Sequence, residues 1–209
     1  METPNPSETT AGEPPFEDPG KECMLALQAG DEAAFERLIG LYSERAYALF
    51  VRFLGRHEGC EDLVQDLFLR MWKARDRYEP SARFTTWMYR IAFNLAANDG
   101  ERRRLRRSQS LSTEVVPGKT LGGGLIDESI HEPSLGLERE DTVHQVREAI
   151  ASLPDTQRMA LILARYEEQP YQDIGESLGI SAKAVKSLIH RARETLRQRL
   201  AHMITGDLK

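Results

Sequence analysis

Apolar residues recur every three or four positions along two long stretches of this chain, and that spacing constrains the fold more than any other feature. The first stretch covers about residues 24–107, and the second begins near residue 141. Residues 108–135 separate them and contain two prolines and a run of three glycines, which is the composition of a linker. No segment alternates apolar and polar residues as a half-buried strand does. We therefore predict an all-α chain of two small helical domains joined by a flexible linker.

Proline, glycine and capping residues divide these stretches into separate helices. Pro154 suits the start of a helix, and Pro170 ends it before a short helix over Tyr171–Leu178. Gly179 then provides a turn, and Ser181 is placed to cap a long last helix. The helices predicted in the first stretch run over about 23–28, 33–54, 59–76 and 85–107. The predicted division is a disordered tail over 1–20, a helical domain over 21–107, a linker over 108–136 and a second helical domain over 137–204.

Charge is segregated along the chain, and this segregation is more informative than the net charge of −5. The first 31 residues carry seven acids against Lys21 alone. Positive charge is concentrated in residues 101–107, which read ERRRLRR, and in residues 181–199, which carry six Lys or Arg side chains against one acid. Basic clusters within an acidic chain indicate local contacts with nucleic acid.

Enzyme, membrane and metal functions find little support. No apolar run approaches the ~20 residues needed to span a bilayer, and the acidic, proline-rich start lacks the pattern of a signal peptide, so we expect a cytoplasmic protein without membrane insertion. Cys23 and Cys60 have no zinc-type spacing and are interpreted as structural thiols in a reduced compartment. Gly118-Lys119-Thr120 is similar to the end of a phosphate-binding loop, but no glycine lies five residues earlier and no strand precedes it. The acids of His57–Glu61 suit a helix start better than a metal site. We expect no enzymatic activity, no cofactor and no metal.

The last ~50 residues contain the parts of a helix-turn-helix, which are a short helix, a turn with glycine and a longer second helix. One face of the longer helix is apolar and consists of Val185, Leu188, Ile189, Ala192 and Leu196. The opposite face is mostly basic and consists of Lys183, Lys186, Ser187, His190, Arg193 and Arg197. A solvated basic face on an ordinary helix is the simpler alternative. The short helix, Gly179 and the Ser181 cap together favour DNA binding, with early residues on base edges and later arginines on phosphates.

Two segments of the first stretch carry a different pattern. Residues 61–73 read EDLVQDLFLRMWK, with an apolar stripe and an outer face of charged and amide side chains around Leu69. That face either docks a partner helix or is solvated surface. Residues 78–94 then place aromatic rings beside arginine and Asn94, which is the combination that single-stranded DNA recognition requires. The alternative is that these aromatic and apolar residues form the core, which we expect of Ile91 and Leu95 and leave open for Trp87.

With these segments in this order, the chain resembles the extracytoplasmic-function class of sigma-70-like factors, the promoter-specificity subunits of bacterial RNA polymerase. The matching segments are DLVQDLFLRMW, FTTWMYRIAFNLAAND followed by ERRR, and LPDTQRMALIL with YQDIGESLGISAKAVKSLIHRARETLR. About residues 33–107 resemble region two of the class, and about residues 137–200 resemble region four. Several segments in one order make the resemblance specific, whereas any single segment would be weak.

The resemblance implies three sites and three partners. The partners are core RNA polymerase (the β′ clamp helices and β), promoter DNA and an anti-sigma factor. The matching core polymerase-binding residues are Asp62, Gln65, Asp66 and Arg70. The matching residues for melting the −10 element and capturing a flipped base are Tyr78, Phe84, Asn94, Asn98, Arg102, Arg103 and Arg104. The matching residues for reading the −35 element are Lys183, Lys186, Ser187, His190 and Arg191.

The chain departs from the class at two places, and two other functions compete with this interpretation. Leu188 stands where some relatives carry Arg, so −35 contacts are expected to be fewer, and the glycine-rich linker lacks aromatic residues. A helix-turn-helix regulator that acts without polymerase would share the C-terminal domain, but it gives no account of the helix over Trp87–Asn94. A sigma-like decoy that sequesters an anti-sigma factor would need no basic recognition face.

Overall fold

The structure, a computed structural model, describes residues 18–111 and 136–201, and within these ranges the side chains of 103–111, 136–141 and 144 are not described. The described ranges form α-helices with one short 3-10 turn and contain no strand, which confirms the predicted all-α class. Residues 1–17 of the predicted tail and residues 112–135 of the predicted linker, including Gly118–Thr120, lie outside the described residues. The elements are α1 (Pro19–Gln28), α2 (Ala33–Leu54), α3 (Cys60–Ala74), the 3-10 turn (Arg75–Arg77), α4 (Phe84–Leu111), α5 (Gly136–Ala151), α6 (Asp155–Arg165), α7 (Tyr171–Leu178) and α8 (Ala182–Arg199).

Helix boundaries follow the local signals closely. The structure places α2 and α7 at the predicted bounds, whereas α1 begins earlier, at Pro19, α4 runs on to Leu111, and α5 begins at Gly136 and not near residue 141. The early start of α1 has a clear cause in Asp18. One carboxylate oxygen of Asp18 accepts from the backbone N–H of Lys21 (3.1 Å), and the other accepts from the N–H of Phe84 (2.8 Å). One side chain therefore caps α1 and binds the start of α4, which satisfies free N–H groups at both helix ends.

Helices α1–α4 pack around one apolar core. Its largest fully buried side chains include Phe50, Leu67 and Met88, which come from α2, α3 and α4. The apolar stripe predicted for residues 61–73 is buried at Leu63, Leu67 and Met71, so α3 turns its polar side outward. Cys23 and Cys60 are buried free thiols, as the structural interpretation expects.

Helices α6–α8 bury the apolar residues of the second domain, which continue the core of the first, and α5 contacts α2 and α8. Leu153, Met159 and Leu163 are buried with Ile174 of α7 and Ile189 of α8. No described helix combines the length and apolar character needed to cross a membrane, and the described residues bring together no His, Cys, Asp and Glu cluster able to hold a metal ion.

The two domains pack directly on each other, which the sequence did not indicate. Helix α7 lies along α4, and α6 and α5 contact α2. Arg158 of α6 joins the two sides, because its guanidinium donates to the carbonyl of Phe53 (2.9 Å), at the C-terminal end of α2, and lies 4.8 Å from the centre of the Phe53 ring. The same guanidinium donates to the carbonyl of Leu153 (2.8 Å) in its own domain. One cation with a side chain only 12% exposed thus satisfies helix-end carbonyls on both sides of the interface.

Candidate nucleic-acid interface

Helices α7 and α8 form the predicted helix-turn-helix. Gly179 ends α7 in the left-handed conformation (φ 68°), which glycine adopts without the strain of a side chain. Gly175 allows the turn to pack closely against α7, because a Cβ atom at this position would lie only 2.6 Å from the carbonyl oxygen of Ile180. The hydroxyl of Ser181 accepts from the N–H of Ala184 (3.2 Å) and caps α8 as predicted. These local interactions set the angle at which α8 leaves the turn.

Helix α8 separates its apolar and basic sides. Val185, Ile189 and Ala192 are buried against the second domain. All five residues predicted to read the −35 element are exposed, and they are Lys183, Lys186, Ser187, His190 and Arg191. The acid of this helix, Glu194, accepts hydrogen bonds from Arg197 and Gln198 within the same helix. These hydrogen bonds, first that of Arg197 and then that of Gln198, lower the pKa of Glu194. The first turns of α8 therefore present positive charge and hydroxyl groups to the solvent.

The exposed side of α4 carries only part of the predicted −10 set. Asn94, Asn98 and Arg102 are exposed. The side chains of Arg103 and Arg104 lie outside the described part of the chain.

Two members of the predicted −10 set, Tyr78 and Phe84, are buried, with exposed fractions of 4% and 0%. The resemblance placed both residues in the site that captures a flipped base, and in this structure both rings lie in the core. Their rings pack against Trp87, with ring centres 4.9 and 6.0 Å apart, and Trp87 itself is half-buried. The physical reason is that burying a large ring stabilises the fold more than leaving it in water. Burial also raises the pKa of Tyr78 to about 12.

The outer face of α3 is exposed, as a docking surface must be. All four residues predicted to bind core polymerase are exposed, and they are Asp62, Gln65, Asp66 and Arg70. Leu69 lies among them with an exposed fraction of 53%. An exposed leucine ringed by charged and amide groups is a composition suited to a partner helix, with the leucine as anchor and the polar groups as rim.

A buried carboxylate lies between the domains, and no sequence pattern predicted it. Glu167, in the loop between α6 and α7, has a side chain only 4% exposed. Its carboxylate accepts from the Arg45 guanidinium (2.5 Å) and the Tyr89 hydroxyl (2.7 Å), and Arg52 lies 3.5 Å away. Burial and then the nearby carboxylate raise the pKa of Tyr89 well above its usual value, so its hydroxyl remains a donor. We name these four residues the Glu167 cluster.

The contacts of α7 with α4 were also missed. Arg90 donates to the backbone carbonyl of Glu176 (3.1 Å) and lies 3.8 Å from its carboxylate. Arg83 lies 3.5 Å from the Asp173 carboxylate. The sequence could have indicated Arg90 as a functional residue, because it lies four residues before Asn94 and therefore on the same face of the helix. No local pattern marks Glu167 or Asp173, because their partners lie on the other domain.

Comparison with known proteins gives matches to both domains. Residues 38–109 match the family model described as Sigma-70 region 2, and residues 144–196 match the one described as Sigma-70, region 4. The chain is 32% identical to the ECF RNA polymerase sigma factor SigW of Bacillus subtilis over 187 residues, which covers 86% of this chain and 96% of that protein. It is 29% identical to the RNA polymerase sigma-H factor of Pseudomonas aeruginosa, which covers 85% of this chain and 92% of that protein.

Two solved structures share the fold at low sequence identity. The sigma factor RpoE, solved with the anti-sigma factor NepR from Bartonella quintana, superposes with a TM-score of 0.59 at 22% identity, covering 80% of this chain and 96% of that one. CnrH, solved with the cytosolic domain of CnrY, superposes with a TM-score of 0.62 at 23% identity, covering 88% of this chain and 99% of that one.

Proposed function

Because this chain belongs to the extracytoplasmic-function sigma factors of the sigma-70 family, we propose that it directs transcription initiation through three surfaces on three helices. The chain is an RNA polymerase sigma factor, and such a protein joins core polymerase to promoter DNA. The three surfaces are the polar face of α3, the exposed side of α4 and the basic face of α8. We assign residues 21–107 to the region two domain and residues 137–204 to the region four domain.

The α3 face is proposed to bind the clamp helices of the β′ subunit. Asp62, Asp66 and Arg70 supply charges of both signs, Gln65 supplies an amide, and Leu69 supplies the exposed apolar contact. Exposed charges at such a rim mainly set register and partner choice, whereas a buried apolar anchor supplies affinity. Contact with the β subunit is proposed on family membership alone.

The α4 surface is proposed to bind the opened strand of the −10 element. Asn94 and Asn98 offer amides that read base edges, and Arg102 offers charge to phosphate. Tyr78 and Phe84 are proposed to support this surface from the core, because their buried rings pack against the half-buried Trp87 at its edge. Opening the duplex then draws on the binding of unpaired bases and needs no chemical step by this chain.

The α8 surface is proposed to read the −35 element in the major groove. Lys183, Lys186 and Ser187 lie at the N-terminal part of the helix, which is the part that reaches base edges in a helix-turn-helix. His190 and Arg191 follow one turn later and suit phosphate contacts. Reading by these residues draws much of its affinity from charge and is therefore sensitive to salt.

Three further proposals follow from family membership. The chain acts in the cytoplasm, where polymerase and promoters are found, and it is not an enzyme. An anti-sigma factor controls it, and one of the solved structures with this fold supports this proposal because it contains the sigma factor RpoE bound to the anti-sigma factor NepR.

The observation that carries the proposal is the simultaneous exposure of the α3 polar face and the α8 basic face on one chain that matches both sigma regions. The test is run-off transcription with purified core polymerase on a genomic promoter library, followed by core pull-down. We expect core-dependent transcripts from a subset of promoters, and Asp66→Arg should abolish both core binding and transcription. Glu44→Arg is the matched control, because Glu44 is exposed on α2 and undergoes the same charge reversal.

Two outcomes would count against the proposal. Tight promoter binding without core polymerase, together with no core-dependent transcript, would instead identify a helix-turn-helix regulator. Equal loss of core binding in Asp66→Arg and Glu44→Arg would show that the α3 face has no special part in docking.

A further inference from the structure

The interface between the two domains includes charged groups beside its apolar contacts. The carboxylate of Glu167 enters the region two domain and is held by Arg45, Arg52 and Tyr89. A carboxylate that leaves water in this way depends on its partners, since the cost of burial is recovered only when they are in place. The next residue, Glu168, has a positive φ of 50°, which is unfavourable for a residue other than glycine. The loop therefore adopts a strained backbone at the point where Glu167 is delivered to the other domain.

The neighbouring part of the interface lies on the α4 surface. The hydroxyl of Ser177 lies within hydrogen-bond distance of two backbone carbonyl oxygens, that of Asp173 in its own helix (2.9 Å) and that of Thr86 across the interface (3.1 Å), and the side chains of Ser177 and Thr86 are buried. Asp173 and Glu176 of α7 face Arg83 and Arg90, at 3.5 and 3.8 Å. Helix α7 thus brings two carboxylates to two guanidinium groups at the N-terminal end of α4.

The arginines that α7 engages share a helix face with the amides proposed to bind DNA. Positions three or four residues apart line one side of a helix. We name the set with this spacing the α4 stripe, and its members are Arg83, Trp87, Arg90, Asn94 and Asn98. Carboxylates and phosphates compete for the same guanidinium groups, because both accept charge-assisted hydrogen bonds in similar geometry. A strand that followed the α4 stripe to Arg83 would therefore meet α7.

We propose that the free chain closes on itself, with the Glu167 cluster as the latch and α7 covering the N-terminal end of the α4 stripe against DNA. This inference rests on the proposed function, since it assigns the α4 stripe to the −10 strand. In the closed state the carboxylates of Asp173 and Glu176 occupy Arg83 and Arg90. Opening withdraws the α7 carboxylates from both arginines and separates the helix-turn-helix from α4, so that the two DNA-reading surfaces are released together.

Glu167→Gln tests the latch directly. The amide keeps the shape of the side chain but removes the charge that balances Arg45 and Arg52 and turns one acceptor into a donor. Because both arginines are more than a third exposed, solvent screens part of the loss. We expect the ratio of open to closed molecules to rise at least about tenfold. Glu168→Gln is the matched control, since it makes the same change at the next residue, which is exposed.

The measurement is the distance distribution between spin labels at Glu36→Cys and Gln172→Cys in the full-length chain without polymerase or DNA. Both positions are exposed and lie on different domains, and the native Cys23 and Cys60 are buried and react poorly. The parent chain and Glu168→Gln should give one narrow distribution, whereas Glu167→Gln should add a broad, longer one. A broad distribution in the parent chain, or an unchanged narrow one in Glu167→Gln, would overturn the latch.

A second variant covers the case in which Glu167→Gln unfolds the chain. Asp173→Asn combined with Glu176→Gln removes the α7 carboxylates at partly exposed positions, where loss of fold is not expected. It should also lengthen the measured distance, and no change would count against the closed state.

The covering of the α4 stripe is tested by affinity for a fluorescein-labelled single-stranded DNA of mixed sequence, at low salt. Whichever variant opens the chain should bind this strand several-fold more tightly than the parent. Opening without any gain in affinity would overturn the covering role. Failure of the proposed function is separable, because it is measured by core-dependent transcription, which the distance experiment does not involve.

Discussion

Arg158 offers the most quantitative test of how the two domains are held, and the perturbation is Arg158→Met. Methionine preserves most of the apolar contact with the Phe53 ring but cannot donate. Three carbonyl groups then lose a charged donor, and they belong to Phe53 (2.9 Å), Ala151 (2.5 Å) and Leu153 (2.8 Å). The ion pair with Asp155 at 3.3 Å is lost as well.

The magnitude follows from these contacts and from an opposing effect. Hydrogen bonds to a charged group contribute about 1.5–3 kcal/mol each. The sum for three such bonds is an upper limit on the stability that Arg158 adds, and the net contribution is smaller. Burial of the guanidinium opposes this gain, and the same burial lowers the pKa of Arg158 despite the nearby Asp155. We therefore expect Arg158→Met to lower the free energy of unfolding by about 3 kcal/mol, because it leaves three carbonyl groups without their charged donor.

The assay is urea unfolding followed by two signals. Trp72 and Trp87 both lie in the first domain, so tryptophan fluorescence reports that domain, whereas far-ultraviolet circular dichroism reports both. A loss of about 3 kcal/mol moves the midpoint by about 1–3 M, since urea slopes for small proteins are about 1–3 kcal/mol per M. We expect the larger shift in circular dichroism, because most of the lost bonds lie in the second domain.

The control is Arg165→Met, which removes the same charged group from an exposed position on the same helix. The reasoning would be refuted if both variants unfolded at the midpoint of the parent chain. It would be refuted equally if Arg165→Met destabilised the chain as much as Arg158→Met, because the loss would then reflect net charge and not the three carbonyls.

Three further predictions concern single side chains. Tyr78→Phe should leave the free energy of unfolding at pH 9 unchanged or raise it by up to about 1 kcal/mol, because the Tyr78 hydroxyl is buried without a hydrogen-bond partner among the described residues. The pKa of Tyr78 is about 12 in the folded chain and ~10 in the unfolded chain, so the unfolded chain loses its proton first as the pH rises. The free energy of unfolding of the parent should therefore fall by roughly 1 kcal/mol more than that of the variant between pH 9 and pH 11, and equal falls would contradict this. Asn94→Ala should reduce open-complex formation by about 10-fold or more while core binding holds, as measured by footprinting and pull-down, and parallel losses would contradict it. Lys186→Glu should weaken the use of promoters with a −35 element and flatten the salt dependence of binding without affecting core binding, and unchanged −35 dependence in transcription in vitro would argue against it.

The proposed closed state changes how the acidic character of this chain is interpreted. Asp173, Glu176 and Glu167 all lie on or beside α7, and each meets an arginine of the other domain. Part of the negative charge of the region four domain therefore forms ion pairs with the region two domain and does not serve solubility alone. A partner that binds the open or the closed form more tightly would shift the balance between them by its difference in affinity.

Local pattern predicted most of the secondary structure and the division of faces, although α1, α4 and α5 extend beyond their predicted bounds. The bounds of α2 and α7, the turn at Gly179 and the cap at Ser181 all follow from spacing, glycine and a hydroxyl within a few residues. The same holds for α8, where Val185 and Ile189 are buried and Lys186 is exposed as the wheel predicts. These features depend on neighbours in the chain, and a sequence displays its neighbours directly.

Contacts between distant segments decided the rest. The sequence could not show that Tyr78 and Phe84 would be buried, because aromatic residues suit a core and a stacking surface equally well and only their packing against Trp87 distinguishes the two. Nor could it show the union of the domains, since Glu167 meets Arg45 across 122 positions and Tyr89 across 78. A carboxylate in a loop is normally solvated, and it becomes a buried latch only when the fold brings its partners to it.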